Sequence, residues 1–180
     1  MTSPTLAVVR LVTALGAVPV VLGIAAVVTA VLVTRRRWRA LRAWLVGLAG
    51  TGASVGALKL AVRRVRPPTA VPGLGDSQWS FPSGHAALAA VTYGLLAYWA
   101  VRAARTGAGR VAAGAGFAVL IAAIAASRIA LGMHYLSDVL GGLAVGGLWA
   151  GIAGGRLARP EPSVRDGALR SAGAAGVTPP

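Results

Sequence analysis

The sequence predicts an all-α fold, a polytopic membrane helix bundle of about five transmembrane helices. Three observations predict it. Of 180 residues, 56% are hydrophobic and only 12% are charged. The mean hydropathy of +0.72 leaves too few polar side chains to cover a water-soluble globule of this length. The apolar residues also come in long uncharged runs, close to the roughly 20 residues that cross a bilayer core. Cysteine is absent, which excludes a disulfide-stapled domain, a thiolate metal site and a cysteine nucleophile. The apolar content excludes a disordered basic tail protein.

The first run covers residues 11–33 and ends at Arg35-Arg36-Arg37-Trp38-Arg39. It is longer than the roughly 7–15 apolar residues of a signal peptide, so an uncleaved helix is expected. The second run covers 41–58 and ends at Lys59. Residues 63–83 hold Pro67, Pro68, Pro72, Gly73 and Gly75 and read as a loop. Spans are then expected at 86–101, 111–126 and 136–152, with a break over 128–135. Three GxxxG pairs, Gly52/Gly56, Gly142/Gly146 and Gly147/Gly151, read as faces where helices pack closely. The chain divides into a transmembrane domain over 1–155, with its core over 40–155, and a disordered cytoplasmic tail over 156–180.

Strong basicity, a formal net charge of +14 from 18 Lys+Arg against 4 Asp+Glu, raises nucleic acid or an anionic lipid surface as partners. Position decides between them. Twelve of the 18 fall in the 35–42 loop, the 102–110 loop and the tail. Arg10, Lys59, Arg63, Arg64, Arg66 and Arg128 make up the other set. By the positive-inside rule the larger set is cytoplasmic. The amino terminus and the 59–85 and 127–138 segments are then expected outside, and the charge needs no nucleic acid to explain it.

The outer segments carry the reactive side chains. Lys59, Arg66 and Arg128 have no acidic neighbours in sequence, and cations at membrane depth suggest an anionic ligand. Arg offers phosphate a planar fork and Lys a point charge. Ser83 and Gly84 precede the third span, where free N–H groups of a helix start favour an anion, and Gly84 permits close backbone approach. His134 and Asp138 are four apart, which on a helix puts them on one face. A carboxylate accepting from one imidazole nitrogen aims the other as a nucleophile. His85 is a second imidazole suited to acid and base work. Singly, each has a plain explanation: a snorkelling Lys59, arginine anchors at 63, 64 and 66, an N-cap at Ser83, a satisfied polar pair at His134 and Asp138. Their gathering on one side, at helix boundaries, does not.

Lys59-x6-Arg66-Pro67, Ser80-Phe81-Pro82-Ser83-Gly84-His85 and Ser127-Arg128-x5-His134-Tyr135-x2-Asp138 together resemble the three-part signature of the type 2 phosphatidic acid phosphatase family. This is the membrane branch of a superfamily that includes vanadium-dependent haloperoxidases. The resemblance covers about residues 40–155 and matches every signature position. It implies an acid phosphatase/vanadium haloperoxidase-like helical core and hydrolysis of a lipid phosphate. His134 would form a phosphohistidine, Asp138 would orient it, and His85 would protonate the leaving oxygen and then activate water. Lys59, Arg66, Ser83, Gly84 and Arg128 would hold the phosphate, with no metal and no cofactor. The implied substrates are phosphatidic acid, phosphatidylglycerol phosphate or a polyprenyl pyrophosphate, taken from the bilayer at the extracytoplasmic face of the cell membrane.

Membrane members of that family usually have six spans, one more than counted here, the difference lying ahead of the signature, where it should not disturb the site. The 68–81 loop, with Leu74, Trp79 and Phe81, is expected to meet lipid, and Trp79 is equally explicable as an interfacial aromatic. Two other readings remain: a vanadate-dependent haloperoxidase, which the apolar spans disfavour, and a lipid-phosphate binding or transport protein, which would not need the imidazoles. The residue bias and short loops suggest a bacterial protein.

Overall fold

A computed structural model describes residues 3–70 and 78–158. Six helices follow in order: α1 Ser3–Ala14, α2 Val18–Thr34, α3 Trp38–Val62, α4 Gly84–Ala103, α5 Gly107–Ala130 and α6 Leu136–Ala158. Helices α3 to α6 are each long and apolar enough to cross a membrane, and α1 with α2 qualifies as a bent fifth. The expected all-α bundle is therefore what the chain forms. α6 continues past the expected end at 152 to Ala158, so Arg156 is helical. The tail beyond 158, and Pro72, Gly73, Leu74 and Gly75 of the loop, lie outside the described residues.

The first apolar run is not one helix. α1 and α2 meet at an angle of 42°. Pro19 in the first turn of α2 explains the break, because its ring conflicts with the carbonyl four residues earlier, which is that of Leu15. The freed Leu15 carbonyl accepts the Tyr93 hydroxyl at 2.8 Å. Gly16 lets the corner close on the bundle: a Cβ there would stand 2.6 Å from Ile124 Cγ2.

α4 lies in the middle and packs on α6, α5 and α3. Its Ala86, Ala87 and Ala89 are wholly buried. Small residues matter because lipid supplies no hydrophobic force between helices, so association depends on close packing and interhelical hydrogen bonds. One GxxxG pair behaves as expected: a Cβ on Gly142 or Gly146 would run into the backbone oxygens of Ser83 and Ala87. The other two do not. Gly52, Gly56, Gly147 and Gly151 have no neighbour within 4 Å of an added Cβ. The seam of α3 instead uses Gly47, against Leu95 and Val91, and Gly50, against the Trp149 indole. Trp149 also donates to Ser54 Oγ at 3.0 Å, a bond of about 0.6 kcal/mol in a membrane setting. Away from the seams, Leu22, Val27, Val111, Val119 and Leu148 are exposed, as a lipid-facing exterior requires.

The connections sort by end. The expected 35–42 loop is shorter, because α3 takes in Arg39 and Arg42; these and the arginines before them gather at one end with the C-terminal turn of α6, where Arg39 donates to the Arg156 carbonyl at 3.4 Å. The end of α3 and the starts of α4 and α6 share the opposite end with the α1–α2 corner and the end of α5.

Candidate active site

At that second end the three motif segments meet. α3 runs a turn past its expected end, so Lys59 is helical and its ammonium donates to the Trp79 carbonyl at 2.6 Å. Arg63 then adopts the left-handed conformation, with φ of 48°, and turns the chain off the helix. Residues 64–66 continue extended, Val65 pairing with Trp79 across a single bridge. Alternation along an extended segment puts Arg64 and Arg66 on one side and exposes Val65. Arg66 Nη1 donates to the Met133 carbonyl at 3.0 Å and lies 3.3 Å from His134 Nε2.

The second motif starts α4. Ser83 stands at the N-cap position, yet its hydroxyl makes no capping bond. Ser83 Oγ is buried with no hydrogen-bond partner, and an unsatisfied buried hydroxyl costs about 1–3 kcal/mol unless something else satisfies it. Its backbone N–H donates to the Asp138 carbonyl at 2.9 Å, joining the second motif to the third. A Cβ on Gly84 would project into open space. His85 follows in the first turn, 6% exposed.

The third motif ends α5 and starts α6. Arg128, only 1% exposed, donates from Nη1 to Thr13 Oγ1 at 3.0 Å. Gly132 takes φ of 64° and carries the chain round to His134. The expectation that His134 and Asp138 share one helical face needs correction. α6 begins at Leu136, so His134 precedes it, and Asp138 is the third residue of the helix. Asp138 Oδ2 turns back to accept the Tyr135 N–H at 2.9 Å, as the third residue does in a capping box. The same oxygen lies 3.6 Å from His134 Nδ1, too far for a hydrogen bond.

The electrostatics define the state of His134. Burial, then Arg66, Arg128, Lys59 and His85 in that order, lower its pKa from 6.5 to about 3. A neighbouring guanidinium only donates, so Nε2 is unprotonated and the ring hydrogen sits on Nδ1, towards Asp138. His134 borders a cavity of about 250 Å³. Lys59, Arg66, Gly84, His85, Arg128 and His134 line it. The rest of its lining is apolar, formed by Val18, Gly52, Val55 and Leu88. Six of the eight residues singled out from the sequence thus share one cavity. Asp138 stands behind His134, and Ser83 does not line the cavity.

Three features escaped the sequence reading. Gly52 borders the cavity instead of packing. Arg64, read as an anchor, bonds Asp138 Oδ1 at 3.0 Å. Thr13, on α1, reaches a motif arginine, so the segment ahead of the signature does touch the site. Pro19, which frees the corner beside Thr13, was the available signal.

The sequence and the fold are similar to those of known proteins. The chain belongs to the PAP2 superfamily, whose family model matches residues 40–154. Phosphatidylglycerophosphatase B of Bacillus subtilis (strain 168) is 37% identical over 94 residues, 49% of this chain and 44% of that protein. The match thus spans less than half the length of that relative. The crystal structure of a transmembrane PAP2-type phosphatidylglycerolphosphate phosphatase from Bacillus subtilis superposes with a TM-score of 0.79 at 27% identity, over 90% of this chain and 82% of the other. Aquifex aeolicus LpxE gives 0.63 at 20% identity, over 85% and 87%, a likeness of fold.

Proposed function

We propose that this protein is a membrane lipid phosphatase that works through a phosphohistidine, without a metal, at the extracytoplasmic face. The observation that carries the reading is the lining of one cavity, where His134, kept neutral by its surroundings, stands with Lys59, Arg66 and Arg128 and with the apolar Val18, Val55 and Leu88. The cations suit a phosphate and the apolar residues suit the lipid that bears it.

The steps follow from the residues. The lone pair of His134 Nε2 forms a bond to phosphorus as the bond from phosphorus to the lipid oxygen breaks. His85 gives that oxygen its proton, and the dephosphorylated lipid leaves. His85, now neutral, takes a proton from water, the hydroxide attacks phosphorus, and the N–P bond breaks to release phosphate. Nδ1–H of His134 faces Asp138, which stabilises the ring as it gains charge. Lys59, Arg66, Arg128 and the Gly84 N–H stabilise the phosphoryl oxygens in the transition state, usually the largest catalytic contribution. Ser83 does not line the cavity, but its Oγ lacks a protein partner and its neighbour Gly84 does line it, so the hydroxyl reaches the same group by a turn of its side chain. Phosphatidylglycerol phosphate leads the substrate candidates, given the relatives' names, with phosphatidic acid and polyprenyl pyrophosphate beside it.

Phosphate release from these lipids by purified protein tests the reading. His134→Ala should lower turnover by at least about 10³-fold, as loss of a nucleophile does. Near wild-type turnover in that variant would end the nucleophile assignment. Tight lipid-phosphate binding with no release by the wild-type protein would favour a binding protein instead.

A further inference from the structure

Arg64 joins all three motif segments. It lies between Lys59 and Arg66 of the first. Its carbonyl accepts the Ser80 N–H at 2.7 Å and the Ser80 hydroxyl at 3.2 Å, from the second. Its guanidinium bonds the third, donating from Nη1 to Ser137 Oγ at 2.6 Å and Asp138 Oδ1 at 3.0 Å. The guanidinium carbon also sits 4.1 Å from the centre of the Tyr135 ring, within cation–π range. A snorkelling anchor is not held at both ends in this way. Arg64 does not line the cavity and its Nη1 is engaged by Ser137 and Asp138, so it is not one of the phosphate cations.

We propose that Arg64 is a positioning residue that sets the plane of the Asp138 carboxylate against His134. The inference rests on the phosphohistidine reading above. Asp138 has no solvent exposure and is the only carboxylate side chain among the described residues. Held at one oxygen, a carboxylate swings about its last torsion, which is broad. The Tyr135 N–H holds Oδ2 and Arg64 holds Oδ1, and two donors define the plane. Oδ2 then waits 3.6 Å from His134 Nδ1, close enough to shorten into a charge-assisted bond when the ring becomes cationic on phosphorylation. Without Arg64 the oxygen is free to turn away at the step that needs it.

The test compares kcat and KM on a short-chain phosphatidic acid in detergent for wild type, Arg64→Ala, Arg64→Lys, Asp138→Asn, the Arg64→Ala/Asp138→Asn double variant and His134→Ala. A misplaced catalytic group costs roughly a hundredfold, so Arg64→Ala should lower kcat by that amount with KM little changed. Arg64→Lys keeps the charge and loses the ring stacking, and should recover most of the loss. In the Asp138→Asn background, Arg64→Ala should add little, the mark of two residues acting as one. A kcat for Arg64→Ala close to wild type overturns the proposal, as does a loss confined to KM or one undiminished beside Asp138→Asn. If Arg64→Ala fails to elute as a monodisperse peak, Arg64→Gln takes its place under the same criteria. An active His134→Ala would sink the phosphohistidine reading itself. An inactive His134→Ala beside an unaffected Arg64→Ala would sink only the role of Arg64.

Discussion

His134 shows how much a single side chain depends on its surroundings. Burial disfavours a charge on this ring, and the like charges of Arg66, Arg128 and Lys59 disfavour it further, so the pKa falls. The sign is checkable. The chain holds only two histidines, so His85→Gln leaves one imidazole for nitrogen NMR. Its ring should stay in the neutral, Nδ1–H pattern through neutral and mildly acidic pH, with a midpoint well below 6.5, since burial and the three cations remain when His85 is gone. A midpoint at 6.5 or above would contradict the cationic setting. Addition of inorganic phosphate should raise the midpoint, because a bound anion offsets the cations. Residue types and spacing sufficed to single out His134. They did not separate Arg64 from Arg63, because which arginine faces Asp138 depends on the left-handed turn at Arg63 and the extended stretch after it.

The helices reveal which sequence patterns are ambiguous. Gly146 and Gly147 adjoin in sequence, and both belong to GxxxG pairs. In space one meets the Ala87 backbone oxygen and the other meets nothing. Gly→Ala inside a helix ordinarily gains up to about 1 kcal/mol from propensity. Gly147→Ala should therefore leave melting in detergent unchanged or raised. Gly146→Ala must push α6 off α4, and overpacking of this kind costs about 1–3 kcal/mol. At about 2–4 °C per kcal/mol for a chain of this size, its melting temperature should fall by several degrees. Equal behaviour of the two variants would contradict the α4–α6 packing described. A GxxxG pattern marks a small-residue stripe, and the rotation of the helix in the bundle decides whether the stripe meets a neighbour. The same limit applies to the first apolar run, whose hydropathy is continuous across the corner that Pro19 and Gly16 create.

For the molecule as a whole, the arginine-rich end and the cavity end lie opposite one another, and the positive-inside rule assigns the first to the cytoplasm. Orientation can be read directly because the chain lacks cysteine. Val65→Cys places a thiol on an exposed position beside the site, 70% accessible. Thr106→Cys places one in the loop at the other end, between α4 and α5. A membrane-impermeant maleimide applied to intact cells should label the first and leave the second unlabelled until the membrane is opened. The reverse pattern would put the cavity in the cytoplasm and require a cytoplasmic lipid phosphate.

Composition, charge placement and motif spacing were enough for the helical membrane class, for the family, and for the residues that now share one cavity. These properties are local or additive: hydropathy sums along a run, and a motif keeps its spacing in any projection. The partners of those residues required three dimensions. Asp138 bonds Arg64 and the Tyr135 N–H, Arg128 bonds Thr13 from outside the signature, and the apolar wall of the cavity includes Gly52 and Val18. Each contact joins segments far apart in the chain or depends on where a helix begins, and both are set by how the helices pack and turn.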